Sequence, residues 1–590
     1  MTEQQIRQRA QEYVAHETDA EFRDEVQRLL NDGATEELSD RFYTDLEFGT
    51  GGLRGVIGGG TNRMNPYIIG RATQGLAQYV LREGNRASDG TQSAVISYDS
   101  RRYSRVFALQ TALTFAANGI RAYLFSSLRP TPELSYAVRQ LGAACGVMIT
   151  ASHNPPEYNG YKVYWGDGAQ IVAPHDTAII EEVRSKVGEV KGISEDEAKS
   201  RGLLHYIDED MDAKYVSMIK AMSIRPELLR EQGRDVRIVY TPLHGTGAMM
   251  VERIFGDLGI QVTTVPEQRE PDGEFPTVAK PNPEESEAMD MAVELGRREN
   301  ADIVMGTDPD ADRIGIAVPD GEDFRLITGN QLGVLLVDYV YSSLAELGRL
   351  PENPAFVKTI VTTELQRDIA EQHGAQVFDT LTGFKHIAAL IRKFEQQPGS
   401  PQYVMGDEES YGYMIGTEVR DKDGISAALM ASEMAIYHAS QGKTVLQRLN
   451  EIYRQYGYYQ EETISQYFAG QQGKEIMDGL MERLRQNPPQ HVGNQAVRKV
   501  RDVERGVTRE MATGEEKRDF DLPASNVLQF FLEDGTVVSA RPSGTEPKIK
   551  FYASSHAEPG RDLAAARQEV QNKLDGIRRD IDTWIEEASA

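Results

Sequence analysis

The chain has 590 residues, 64 Lys and Arg against 91 Asp and Glu, and a net charge of −27 with a pI near 4.9. So acidic a surface repels nucleic acid and anionic membrane, which excludes both as expected partners. At roughly 100–200 residues per domain, the length calls for three to five domains. The single cysteine, Cys145, excludes an intrachain disulfide.

The opening MTEQQIRQRAQEYV has no apolar leader, and no run of 18 apolar residues occurs. A soluble cytoplasmic protein, monomer or homodimer, is the expectation. Residues 1–47 place apolar side chains at i, i+3 and i+4 among many charges, the pattern of amphipathic helices. The segment Phe48–Gly55 (FGTGGLRG) then gathers glycines around Arg54. Such backbone can turn tightly and approach a ligand closely, and Arg54 is a candidate phosphate fork; the alternative is a surface turn.

Strands are expected at 94–98, 120–125 and 145–149, with helices at 107–119 and 133–142 between them: a β-α-β-α-β run. Cys145 opens the third strand and reads as a buried small hydrophobe; a Cys–His nucleophile with His153 would need it at the strand's exposed end. The strand stops at Thr150-Ala151-Ser152-His153-Asn154-Pro155-Pro156. Paired prolines forbid further strand or helix, so Ser152 sits in a stiff loop at a strand end, where open α/β sheets place their chemistry. Asn159-Gly160 turns the chain and Lys162 follows. A helix near 176–195 and the acidic stretch 207–210 close this first part.

A second unit begins at Asp235, with strands at 236–240 and 260–265 around a helix ending at Leu258. Its turn, Thr241-Pro242-Leu243-His244-Gly245-Thr246-Gly247, mimics a dinucleotide fingerprint, but Met250 fills the third small position and argues against a nicotinamide cofactor. The unit ends in the strand 301–306, the loop Thr307-Asp308-Pro309-Asp310-Ala311-Asp312-Arg313 and the strand 314–318. Asp308, Asp310 and Asp312 would repel one another unless neutralised; a hard divalent cation with oxygen ligands, Mg2+, answers this. Neither a twelve-residue loop nor a terminal Glu is present, so this is no EF-hand. Arg313 beside the carboxylates suggests an anionic partner such as phosphate.

The third unit has helices at 330–347, 363–373 and 387–395 and strands at 357–361, 376–378 and 403–405. The segment 379–386, containing Lys385, reads as a loop. Glu408 and Ser410 alternate in the turn after 405, a pattern suited to vicinal sugar hydroxyls, with acid–base work by a Glu pair as the rival use. Asp421-Lys422-Asp423-Gly424 caps a helix over 425–438. Residues 444–490 read as amphipathic helix, 498–520 as a hairpin turning at Gly514, and 527–532 with 536–540 as a hairpin through Asp534-Gly535. It leads to Arg541-Pro542-Ser543-Gly544-Thr545-Glu546-Pro547-Lys548. There Arg541, Ser543 and Thr545, with backbone N–H groups around Gly544, form a small anion cradle without the spacing of an ATPase loop. A strand at 549–553 and a helix at 562–586 end the chain.

The β-α-β arrangement recurs near 94–149, 236–306 and 357–405, each time ending in a polar loop. The expected fold class is α/β: three related α/β domains with mixed sheets around a central cleft, plus a smaller α+β C-terminal domain. The expected boundaries are 1–208, 209–325, 326–450 and 451–590.

TASHNP at 150–155, DPDADR at 308–313, EES at 408–410 and RPSGTEPK at 541–548 closely resemble the motifs of the α-D-phosphohexomutases. Their order, spacing and the chain length look most like the branch that contains bacterial phosphoglucomutase and animal phosphopentomutase. The likeness covers about 40–580. It implies a phosphorylated Ser152, with Mg2+ held by that phosphate and by Asp308, Asp310 and Asp312. It further implies that phosphoserine passes its group to a sugar phosphate, giving a bisphosphate that turns over and returns its other phosphate to Ser152.

By the same resemblance, Arg541, Ser543, Gly544 and Thr545 would grip the non-reacting phosphate, and Glu408 and Ser410 the sugar hydroxyls. His153, Lys162 and Lys385 would move protons and balance charge; on the residues alone Arg54 joins them as a catalytic candidate, and Arg313 is a candidate for binding the substrate. Pro309 stands where glycine is usual, leaving the carboxylates in place. Glucose phosphate, with glucose 1,6-bisphosphate as intermediate and activator, is the first expectation. Ribose phosphate, mannose phosphate and a bisphosphate synthase are the alternatives within the fold. A sugar-phosphate sensor would not need Ser152 and the carboxylates, and a metal-dependent phosphatase would release free phosphate.

Overall fold

The run Cys145–Ile149 is buried at every position, as a parallel strand covered on both faces must be. It is β4 of a six-stranded sheet with β1 (Gly52–Val56), β2 (Ser93–Tyr98), β3 (Arg121–Phe125), β5 (Tyr158–Trp165) and β6 (Leu204–Ile207), in the order β1-β5-β4-β2-β3-β6. Strand β2 runs parallel to β3 and β4, and β3 to β6, while β5 is antiparallel to both β4 and β1. The helices Pro66–Glu83 and Ser104–Ala117 supply Leu76, Val80, Phe107 and Phe115 to one core with Ile96, Val147 and Tyr161.

A second sheet contains β7 (Ile238–Thr241), β8 (Val262–Thr264), β9 (Ile303–Thr307), β10 (Ile314–Asp320) and β11 (Asp323–Ile327), ordered β11-β10-β9-β7-β8. Strand β7 is parallel to β8 and β9, and β9, β10 and β11 form an antiparallel meander. The Ser152 loop joins β4 to β5, and the triple-carboxylate loop joins β9 to β10. Both therefore leave the carboxyl end of a strand that has a parallel neighbour, the edge where α/β sheets carry ligands.

The computed structural model describes residues 1–49, 51–468, 470–543 and 548–589. It forms two compact units, Met1–Gly329 with Phe384–Gly442 and Asn330–Gly383 with Lys443–Ala590. The first unit holds both sheets above, the hairpin Gln402–Glu408/Gly412–Ile415 and the helix Gly424–Ser440. The second holds the parallel pair Pro354–Thr359 and Gln376–Thr380 and a largely antiparallel sheet. That sheet runs from Tyr458–Tyr467 through Lys548–Ala557, Val537–Pro542, Leu528–Leu532 and Gln495–Asp502 to Val507–Glu510 and Glu516–Lys517.

Several expected elements change. Within 444–490, Gly457 at φ +105° ends the helix Val445–Tyr456, and Tyr458–Tyr467 is a ten-residue strand paired with Lys548–Ala557. Its Tyr, Thr and Ile residues suit a pleated surface. The helix expected at 176–195 is a short helix, His175–Glu181, and a π turn, Glu182–Lys186, before the glycine-bearing 187–192. The hairpin of 498–520 turns between Asp502 and Val507, and Gly514 belongs to a further turn before Glu516–Lys517. Arg54 lies on an edge strand, Gly52–Val56, not in a free turn. The helix after 383 starts at Phe384, which places Lys385 in its first turn.

Close backbone approach explains the glycine in Asn159-Gly160. A Cβ at Gly160 would lie 2.4 Å from the Thr150 carbonyl oxygen and 2.9 Å from that of Leu53. Backbone flanks it on both sides and cannot step aside cheaply. Gly160→Ala should therefore cost about 1–3 kcal/mol, the usual penalty of overpacking. The unfolding of the first unit by denaturant reads this out; a wild-type midpoint would mean that β1 and β4 open around β5 at no cost.

Candidate active site

Ser152 is buried and holds φ +52°, a left-handed conformation rare for a non-glycine residue. Its N–H donates to Thr150 Oγ1 at 2.8 Å, and the Thr150 hydroxyl donates to Asp99 Oδ2 at 2.6 Å. Asp99 also accepts from Ser104 Oγ at 2.8 Å and from the Arg101 N–H at 3.0 Å. The Arg101 side chain is fully buried and donates to the carbonyl oxygens of Ser152 (2.5 Å), Asn154, Pro155 (2.8 Å) and Tyr158 (3.1 Å). The Ser152 hydroxyl thus emerges from a fully tied loop. It donates to Asp308 Oδ2 at 2.7 Å and lies 3.2 Å from His153 Nδ1. Burial, then the charges of Arg313 and Arg54, hold the His153 pKa well below that of a free imidazole, so His153 is neutral.

The carboxylates of Asp308, Asp310 and Asp312 are fully buried, with one oxygen from each within 4.8 Å of the others. Asp308 Oδ1 accepts from the N–H groups of Asp312 (3.1 Å) and Arg313 (3.0 Å). Lys162 Nζ donates to Asp310 Oδ2 at 2.7 Å and Asp312 Oδ2 at 3.3 Å; Lys422 Nζ donates to Asp312 Oδ2 at 2.6 Å; Thr131 Oγ1 donates to Asp310 Oδ2 at 2.7 Å. Burial and the charges of Asp312 and Asp310 raise the pKa of Asp308 well above the usual carboxylate range. Burial would do the same to Asp310, but Lys162 outweighs it and holds that group low. Burial likewise opposes the charge of Lys162, and Asp310 and Asp312 overcome it, so the lysine stays an ammonium.

One oxygen of Asp310 and one of Asp312, Oδ1 in each, have no hydrogen-bond donor although both are buried. Buried acceptors without donors are costly. An all-oxygen donor set with spare buried oxygens fits a hard divalent cation, Mg2+ in particular. The turn that mimicked a dinucleotide fingerprint has another task here. Thr246 donates through N–H (2.8 Å) and Oγ1 (3.0 Å) to the Pro309 carbonyl, and a Cβ at Gly245 would sit 2.3 Å from Pro309 Cα. Gly245 lets this turn buttress the carboxylate loop.

The other expected site residues fall as follows. Arg313 donates to Glu284 Oε1 at 2.6 Å. Exposed Arg54 stands on β1 opposite Gly160 and donates to Asn154 Oδ1 at 3.3 Å. Glu408 ends its strand in a buried position, and its charge reaches both Arg313 and Lys422, which joins it to the same site. Ser410 lies in the turn after it, and Lys385 is half-buried. Arg541 and Ser543 belong to the second unit. Arg541 pairs in register with Lys550, and the Ser543 N–H donates to the Lys548 carbonyl at 2.7 Å. Gly544 and Thr545 lie outside the described residues.

Sequence reading missed Arg101, Asp99, Thr150, Thr131 and Lys422. Lys422 was legible only as part of a helix-capping run, yet it carries the second ammonium on the triad, backed by Asp421, which accepts from Tyr164 OH (2.7 Å) and Gln170 Nε2 (2.9 Å). Cys145 is buried inside β4, where burial pushes its thiol pKa up and leaves it inert. Among the described residues no helix is long and apolar enough to cross a membrane.

Three domain families match the chain: phosphoglucomutase/phosphomannomutase alpha/beta/alpha domain I over 45–188, domain II over 213–321 and domain III over 328–456. A phosphoglucomutase of Staphylococcus epidermidis is 35% identical over 534 residues, covering 90% of this chain and 94% of the relative. A phosphopentomutase of Homo sapiens is 36% identical over 558 residues, covering 91% and 89%. A crystal structure of parafusin, a phosphoglucomutase from Paramecium in an open form, superposes with a TM-score of 0.67 at 18% identity over 93% of this chain and 95% of that one.

The carboxylate cluster makes a direct prediction. Mg2+ at 100 times its dissociation constant should stabilise the protein by about 2.7 kcal/mol, read as a rise in the thermal midpoint. Mg2+ binds the ionised form of Asp308, whose pKa burial and its neighbours raise, so affinity should rise with pH until Asp308 is ionised. Asp310→Asn should weaken Mg2+ by at least about tenfold, ~1.4 kcal/mol. Calorimetric titration at two pH values checks both; an affinity untouched by pH and by the substitution would place the ion elsewhere.

Proposed function

The chain belongs to the phosphoglucomutase/phosphomannomutase family of the α-D-phosphohexomutase superfamily and is a phosphoryl-transferring mutase; on that premise we propose that it interconverts α-D-glucose 1-phosphate and glucose 6-phosphate. The reaction runs through phosphorylated Ser152 and glucose 1,6-bisphosphate. The observation that carries this reading is the Ser152 hydroxyl, 2.7 Å from Asp308 at the edge of three buried carboxylates that two lysines only partly neutralise.

Phosphoryl transfer asks for positioning and charge neutralisation more than for covalent chemistry from the protein. In the forward step the bond from Ser152 Oγ to phosphorus breaks, a bond from phosphorus to a sugar hydroxyl oxygen forms, and the sugar hydroxyl proton passes by way of the neutral His153 imidazole, 3.2 Å from Ser152 Oγ, to the departing Ser152 oxygen, with Lys385 balancing charge. In the return step Ser152 Oγ attacks the other phosphate of the bisphosphate, and its proton passes back through His153 to the sugar oxygen whose bond to phosphorus breaks. Lys162 and Arg54 hold charge on the transferring group rather than moving protons. Bound Mg2+, held by Asp308, Asp310, Asp312 and the Ser152 phosphate, would supply Lewis-acid charge on the phosphoryl oxygens.

Glu408 and Ser410 read sugar hydroxyls, Arg313 adds a cation for phosphate, and Arg541, Ser543, Gly544 and Thr545 grip the phosphate that does not react. In this reading 1–208 carries the phosphoserine, 209–325 the metal loop, 326–450 the sugar contacts and 451–590 the distal phosphate site.

The test is a coupled assay with Mg2+, a trace of glucose 1,6-bisphosphate and, separately, glucose 1-phosphate, ribose 1-phosphate and mannose 1-phosphate. Conversion of glucose 1-phosphate without free phosphate is the expected result. Preference for ribose 1-phosphate would move the substrate to pentose, accumulating bisphosphate would mark a synthase, and free phosphate would overturn the mutase mechanism. Ser152→Ala should abolish the phosphoenzyme and lower turnover by at least about 10³-fold, more than the 10²–10³ cost of losing one transition-state hydrogen bond.

A further inference from the structure

The Ser152 loop satisfies only part of its own backbone, through Asn154 N–H to Ala151 and Tyr158 N–H to Pro155, both at 3.1 Å. Pro155 and Pro156 bring no N–H groups, and the carbonyls of Ser152, Asn154, Pro155 and Tyr158 all turn inward to one guanidinium, that of Arg101. Arg101 is held in its turn. Its Cζ lies over the ring of Phe275, 5.0 Å from the centroid, and Phe275 is buried at φ +47°. Phe275 comes from the segment 271–278, which crosses from the second sheet. There Gly273 forms a parallel bridge with Arg101, a Cβ at 273 would come within 2.6 Å of the Ser100 carbonyl oxygen, and Glu274 pairs with Arg102.

The other end of this strap is tied to the turn that buttresses the carboxylate loop. The Asp272 N–H donates to the His244 carbonyl at 3.0 Å, and His244 Nε2 lies 2.8 Å from Thr277 Oγ1. Next to His244, Gly245 and Thr246 pack on Pro309. The connection therefore closes on itself: from Asp308 through Pro309 and the 244–246 turn to the strap, then Phe275, Arg101 and Ser152, whose hydroxyl meets Asp308 again.

We propose that Arg101 and Phe275 are positioning residues that set the reach between Ser152 Oγ and the Asp308 loop, so that the strap, rather than the serine loop itself, fixes the geometry of phosphoryl transfer. The proposal rests on the mutase reading above for its kinetic consequence. Neither residue touches the reacting atoms. Phe275→Leu keeps an apolar side chain of comparable size and removes the flat partner of the guanidinium. Arg101→Lys keeps the charge and removes the planar fork.

The experiment mixes full-length phosphoenzyme, labelled on Ser152, with glucose 1-phosphate and follows a single turnover. A misplaced loop lowers the rate constant, whereas mere loss of folded protein lowers only the amplitude. For Phe275→Leu the rate constant should fall about tenfold, and for Arg101→Lys about a hundredfold, with the half-saturating sugar concentration changed less than about twofold. Wild-type rate constants in both variants, or a loss confined to half-saturation, would overturn the proposal. Should the wild-type chain form no phosphoenzyme, the mutase reading fails by itself. Amide hydrogen exchange then decides the strap: faster exchange at Ser152, His153 and Asn154 in Phe275→Leu supports it, and unchanged exchange refutes it.

Discussion

Three carboxylates buried within 4.8 Å of one another are the constraint to which the first unit is built. Their mutual repulsion in a low-dielectric interior would unfold the loop that carries them, unless cations and donors from elsewhere were brought in. Lys162 arrives from β5, Lys422 from the run before the helix Gly424–Ser440, and Thr131 from the start of another helix. Each comes from a different part of the chain. The loop's own N–H groups at Asp312 and Arg313 serve Asp308. The carboxylate loop is therefore a meeting point of elements, and folding of the unit and assembly of the site are one event.

The charge count shows what this assembly still lacks. Lys162, Lys422 and Arg313 touch the triad, while Asp421 and Glu284 pair with Lys422 and Arg313. Asp421, Glu284 and Glu408 thus compete with the triad for the same three cations, which leaves its charge only partly neutralised. A divalent cation would complete the neutralisation, and the donor-free oxygens of Asp310 and Asp312 say where it is missing. On a chain of net charge −27, a phosphate has no other route to this edge of the sheet: the long-range field repels it, and only local cations attract it.

Much of the site was legible because its parts are contiguous. A strand, a stiff hydroxyl-bearing loop and three alternating carboxylates are local patterns, and the α/β class follows from strands alternating with helices. What escaped were relations between distant segments. Arg101 looks like one of several arginines after a strand; nothing local says that it collects four carbonyls some fifty residues on. The strand Tyr458–Tyr467 was hidden because its neighbours are amphipathic helices and its partner, Lys548–Ala557, lies about ninety residues away. The 241–247 turn carried a readable glycine pattern whose purpose was inverted. Gly245 admits the Pro309 backbone, and Gly247 makes room for the hydroxyls of Tyr240 and Thr307.

That inversion bears on Pro309, which stands between Asp308 and Asp310. A proline carbonyl is as good an acceptor as any, and its fixed φ lowers the entropy lost on ordering the loop. Pro309 offers its carbonyl to two donors of Thr246, and its Cα lies against Gly245. The rigidity that glycine would forgo is thus combined with a neighbour that gives up its own side chain to make room. Only Ala311, at φ +52°, takes the strained turn between Asp310 and Asp312. In this chain the loop's stiffness comes from a proline and a distant glycine acting together, and the three carboxylates converge because the backbone between them has little freedom to part.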